Sequence, residues 1–166
     1  YAIDFDGTND KIATNYYFPT TTKFSVEAWI YPEATTYKRI LTSFSGSTSF
    51  STDVVFDTYN AINNGRGLRL VVGTSTTASV ANVLTLNQWN HVAATFNSGV
   101  INLYVNGTTV GTFTVATNTL YTTTQRPLNI GEDFVQGPAS EYFNGKIDEV
   151  RIWNRTLTQS EIAANM

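Results

Sequence analysis

Phe24, Val26, Ala28 and Ile30 alternate with Ser25, Glu27 and Trp29. A period of two predicts a strand with one buried face, and Pro32 ends it. The same reading gives strands over Lys38–Phe44, Phe50–Phe56, Gly67–Gly73, Asn90–Phe96, Pro127–Gly131 and Phe143–Asn154. Ile101–Val105 and Thr108–Val115 flank Asn106-Gly107, a hairpin signal because both central residues of a type I′ turn need positive φ. Asp57–Gly65 and Thr117–Gln125, rich in Thr and Asn, read as loops. Only the C-terminus looks helical. Thr158-Gln-Ser-Glu161 is a capping box, with Leu157 and Ile162 spaced as a hydrophobic staple, and this short helix is expected to cover a sheet edge. No repeat or long linker divides residues 1–166, which read as a single all-β domain, a sandwich or barrel.

Composition agrees and narrows the function. The 166 residues are 42% hydrophobic and 13% aromatic, enough for a packed core, but only 14% charged, and roughly one in six is Thr. The net charge of −3 with a pI near 5.0 argues against a binder of phosphate backbones, which needs clustered Lys and Arg. With no cysteine there are no disulfides, thiolate metal sites or Cys nucleophiles. No apolar run reaches the roughly 18 residues of a membrane helix. A chain opening on Tyr1 without a leader pattern reads as a piece of something longer.

Several segments occur in an order that resembles a known family: Phe5-Asp-Gly7 with Asp10, Phe24–Ile30, Ile40-Leu41, Trp89-Asn-His-Val-Ala93, Leu103–Gly107, Leu128–Gly131, Phe143–Asn154, Leu157 and Glu161-Ile162. Together they are similar to the laminin-G-like, concanavalin A-like jelly-roll domains. The resemblance implies two packed antiparallel sheets of about six or seven strands each. It also implies a non-catalytic extracellular, cell-surface or virion-surface module that binds glycans or proteins, often with one calcium ion. The expected partner is a carbohydrate or another surface polymer, bound by loops at one end or on the concave sheet. An alternative is a structural, decoration or adhesion domain that packs with other subunits and binds no soluble sugar. Neither nucleic acid nor membrane is expected as a partner.

Asp4 and Asp6, two apart in a strand, share a face. The first and last strands of a jelly roll usually lie side by side, so Asp148 would join them and supply hard oxygen ligands for calcium. The resembled family carries a similar set. The other reading has Asp6 capping a Gly turn and Asp148 pairing with Lys or Arg, with Asp10 stabilising the same turn. Asp53 with Asp57, and Glu132 with Asp133, form a second acidic group beside loops. Hydrolases of this fold carry an E-x-D-x-x-E strand; no such spacing occurs, so no enzyme is expected. His91, the only histidine, is expected to be a hydrogen-bonded core residue. Trp29, Trp89 and Trp153 fall at positions where the family has core residues. Sugar platforms are therefore expected from loop tyrosines, foremost Tyr37, Tyr59 and Tyr121, with Tyr16, Tyr17 and Tyr142 behind them.

Overall fold

A computed structural model describes residues 2–34, 36, 38–44, 52–59, 66–73, 76–121, 127–132 and 141–166, with the side chains of residues 44, 52, 53, 59 and 76 left out. The strands are β1 (Ile3–Asp6), β2 (Ile12–Ala13), β3 (Lys23–Pro32), β4 (Lys38–Phe44), β5 (Thr52–Tyr59), β6 (Gly67–Val72), β7 (Thr76–Val80), β8 (Asn90–Asn97), β9 (Val100–Val105), β10 (Thr108–Thr114), β11 (Asn129–Ile130) and β12 (Asn144–Trp153), followed by helix α1 (Gln159–Ala164). They form two six-stranded sheets. Sheet A runs β1-β12-β3-β8-β9-β10 and sheet B runs β2-β11-β4-β5-β6-β7, with every paired ladder antiparallel. This is the jelly-roll sandwich expected from the sequence.

The alternation in β3 explains the layering. Phe24, Val26, Ala28 and Ile30 are buried and pack with Phe96, Leu103 and Ile147 of sheet A and with Ile40, Phe56, Leu68 and Leu70 of sheet B in one apolar cluster. The registers Ile147↔Ile30 and Trp29↔His91 carry the inner and outer faces across neighbouring strands. At the β9–β10 turn Asn106 has φ 49° and Gly107 φ 73°, as a type I′ hairpin requires. Gly145 is needed where β12 crosses β3, since a Cβ there would lie 2.0 Å from the Tyr31 carbonyl oxygen.

One expectation is corrected and one is extended. Asp57 through Tyr59 lie inside β5, not in a loop, because Asp57 is held by arginines from both neighbouring strands. Helix α1 covers more than the sheet edge: Gln159 accepts from the Thr109 hydroxyl of edge strand β10, while Leu157 and Ile162 pack on Ala93 of β8, Tyr104 of β9 and Trp153 of β12 on the sheet face. The capping box forms as expected, with the Thr158 hydroxyl accepting from Glu161 N–H and the Glu161 carboxylate accepting from Thr158 N–H. Arg155, with the Thr158 backbone and hydroxyl, holds the Glu161 carboxyl down to about 2. Among the described residues no helix is long and apolar enough to cross a membrane.

Candidate functional site

The outer face of sheet A divides in two. Helix α1 covers one half. On the other an open pocket of about 380 Å3 is lined, among the described residues, by Trp29, Trp89, Asp148 and Glu149. Trp29 is there because it is an outward position of β3. Trp89 follows a turn clamped by Asn90, whose carboxamide donates to the Thr85 and Gln88 carbonyls and accepts from Thr85 N–H. The result leaves Trp89 41% exposed, edge-on to Tyr31 at 5.7 Å between ring centroids.

Asp148 and Glu149 are consecutive, and a regular strand would send them to opposite faces. The β12–β3 register slips between Asp148 and Arg151, and Glu149 takes φ 51°, a left-handed conformation costing a non-glycine residue roughly 1–2 kcal/mol. This bulge brings both carboxyl side chains to one pocket. The Asp148 carboxylate accepts from the Glu149 N–H at 2.8 Å, and Glu149 is ion-paired with Arg151.

Behind the pocket lies a buried polar network. Glu27 Oε1 accepts from Asn165 Nδ2 at 3.0 Å, Trp153 Nε1 at 3.2 Å and Arg151 Nη1 at 3.5 Å. Glu27 Oε2 has no hydrogen-bond donor among the described residues; the nearest ionisable contact is His91 Nε2 at 3.8 Å. The His91 ring lies 5.3 Å from Trp29, edge to face. Burial pushes the His91 imidazole below its ordinary 6.5 against the pull of the Glu27 carboxylate, and Arg151 adds to the lowering.

Sheet B presents a different outer face. Asp57, fully buried, is bracketed by Arg39 of β4 and Arg69 of β6, and Arg39 also pairs with Glu141. Nearby on the same sheet, Glu132 accepts from Lys11 at 2.9 Å, Asn129 at 2.9 Å and Tyr142 at 3.2 Å. Tyr142's phenol is pushed up by burial and by that carboxylate.

Residues 6–163 match the family model described as the concanavalin A-like lectin/glucanases superfamily, laminin G type 3. The chain belongs to this superfamily. No curated protein sequence matches it. Among solved structures, a heptameric SAP-like pentraxin from Limulus polyphemus is similar, with a TM-score of 0.76 at 19% identity over 98% of this chain and 79% of that one. The CBM40 module of a Ruminococcus gnavus IT-sialidase, bound to α2,3 sialyllactose, gives 0.72 at 15% identity over 86% of this chain and 80% of the module. Domain 4 of AbnA, a GH43 extracellular arabinanase from Geobacillus stearothermophilus, in complex with arabinotriose, gives 0.64 at 20% identity over 99% and 70%. At these identities the likeness shows the fold.

Within this lectin-like sandwich the expected residues lie as follows. Asp4 pairs across β1–β12 with Lys146, and Asp6 with Asn144. Asp148 lies two residues beyond Lys146, opposite Trp29. All three aspartates occupy one side of sheet A. Asp6 Oδ1 accepts from Thr8 N–H at 2.7 Å, and Asp10 Oδ2 accepts from Asp6 N–H at 2.9 Å, the turn-capping arrangement of the alternative reading. Lys146 stands directly opposite Asp4 on the same side, and among the described residues no three His or acidic groups gather closely enough to hold a metal. Asp4, Asp6 and Asp148 therefore share one side of the sheet without being gathered into one group. Tyr121 is 65% exposed beside the Thr21–Leu120 bridge. Tyr59 belongs to β5 with its side chain outside the described residues, as is all of Tyr37. Of the second acidic group, Asp57 and Glu132 are consumed by ion pairs; Asp133 and the Asp53 side chain lie outside the described residues.

The core assignment of the tryptophans is corrected. Trp89 is exposed, Trp29 lines the pocket, and Trp153 lies under the helix with its N–H on Glu27. His91 is buried as expected, but among the described residues neither ring nitrogen has a hydrogen-bond partner. The period of two in β3 is the signal that places Trp29, since it sets that residue with Ser25 and Glu27 on the face opposite the core.

Proposed function

We propose that this chain is a non-catalytic, lectin-like module of an extracellular or surface protein that binds glycan in the Trp29–Trp89 pocket. One observation carries the reading: an open pocket combines a half-exposed indole, a second indole and two carboxylates brought together by a bulge. Indole faces stack on the C–H face of a sugar ring, and carboxylates accept from its hydroxyls. The sialyllactose-bound CBM40 module and the arabinotriose-bound arabinanase domain, both similar in fold, support a carbohydrate partner.

The test is a broad glycan array followed by calorimetry on wild type and Trp89→Ala. Loss of a stacking indole should weaken binding about 30-fold, equivalent to about 2 kcal/mol. Binding insensitive to Trp89→Ala but lost in Tyr121→Ala would return the site to the loop tyrosines. An oligomer with no glycan on the array would favour the packing or decoration role instead.

Calcium belongs to this proposal on the sequence and its family resemblance alone. A bound ion would require Asp4, Asp6 and Asp148 to regroup around it. A hundredfold excess over Kd would then add about 2.7 kcal/mol of stability. Equal melting temperatures in excess calcium and in excess chelator would remove it.

A further inference from the structure

We infer that the pocket's glycan carries a protonated amine, so that the ligand class is an unacetylated amino sugar; this rests on the glycan-binding reading above. The argument is one of uncompensated charge. Both basic residues of β12 are engaged: Arg151 by Glu149, Glu27 and the Asn165 carbonyl, and Lys146 by Glu33 at 3.6 Å while lying 5.1 Å over the Tyr31 ring. Arg151 thereby balances Glu149. Asp148 receives only the neighbouring backbone N–H on Oδ1, and among the described residues no cation pairs with it.

Among the described residues the pocket therefore presents one unbalanced carboxylate beside two indoles. An ammonium is attracted by both, through a charge-assisted hydrogen bond to the carboxylate and through the negative face of an indole. A carboxylated sugar is repelled by the same groups. This electrostatic preference is opposite to what a sialic acid needs, although the CBM40 module shares the fold. The left-handed turn at Glu149 is what sets Asp148 and Glu149 on the same pocket as the two indoles.

The experiment is calorimetric titration of the whole chain with glucosamine oligomers, their N-acetylated counterparts, glucose oligomers, sialyllactose and oligolysine. Wild type and Asp148→Asn are compared at low and high salt. The free-amine oligomer is expected to bind about tenfold tighter than its N-acetylated form. The advantage should shrink in high salt and vanish in Asp148→Asn, with no binding of sialyllactose. Equal affinity for amine, N-acetyl and neutral oligomers, all lost in Trp89→Ala, would overturn the amine assignment and leave glycan binding standing. No oligosaccharide binding at all would overturn the glycan reading itself. Oligolysine binding as tightly as glucosamine oligomers, dependent on Asp148, would overturn the sugar assignment in favour of an amine alone.

Discussion

Each sheet carries a fully buried carboxylate on its outer face, and the two are treated in opposite ways. Asp57 in sheet B receives two guanidinium groups from flanking strands. Glu27 in sheet A receives a carboxamide, an indole N–H and one guanidinium at 3.5 Å, and its second oxygen faces a histidine at 3.8 Å without a hydrogen bond. Saturated charge locks a surface in place; incompletely satisfied charge is tolerated where a surface is kept for other uses. The pocket, the exposed indole and the strained bulge all lie on the second kind of face. The comparison thus separates a face whose buried charge is fully paired from one whose buried charge is not.

The strongest way to break that contrast is Asp57→Ala. It removes the carboxylate shared by two mostly buried arginines and should cost about 3 kcal/mol in urea unfolding; a loss under about 1 kcal/mol would erase the distinction. Trp89→Ala sharpens it from the other side. The same variant that loses glycan affinity should shift unfolding free energy by about 1 kcal/mol or less, because the indole is 41% exposed and packs edge-on against Tyr31. The smallest effect is with pH. His91 is held below 6.5 when folded and is ordinary when unfolded. As pH falls through 6.5 the unfolded chain takes up a proton that the folded chain refuses, so stability is present above 6.5 and is lost on acidification until the folded group itself titrates. The melting temperature of wild type should fall more steeply over that window than that of His91→Gln; identical slopes would mean that His91 is no more shielded than a surface residue.

Local chemistry was legible and long-range compensation was not. Lys38–Phe44 appears as β4 with the bounds read from its pattern, the Asn106-Gly107 hairpin forms, and Thr158 caps the helix. Each depends on residues within a turn or two. β7 went unread because Thr76–Val80 offers only Ala78 and Val80 to the core, too little apolar pattern to signal a strand. Asp57 read as a loop residue because the two arginines that permit it mid-strand come from other strands. The site divides along the same line. Trp29 follows from alternation in β3, whereas Trp89 depends on the Asn90 clamp. Glu149 depends on a bulge at a residue whose type does not advertise positive φ.

The pairing of β1 with β12 has a mechanical consequence. The two strands are antiparallel, with Ile3 opposite Ile147 and Asp6 opposite Asn144. Their outward-leading ends therefore lie at the same end of the sheet. A pulling force applied through the two chain ends loads this ladder one hydrogen-bonded pair at a time, in unzipping and not in shear. The four residues of β1 would peel first, at low force, and bare the strand that carries Asp148. Because β1 also carries Phe5 of the core, tension on the chain would reach the pocket's strand and the core together.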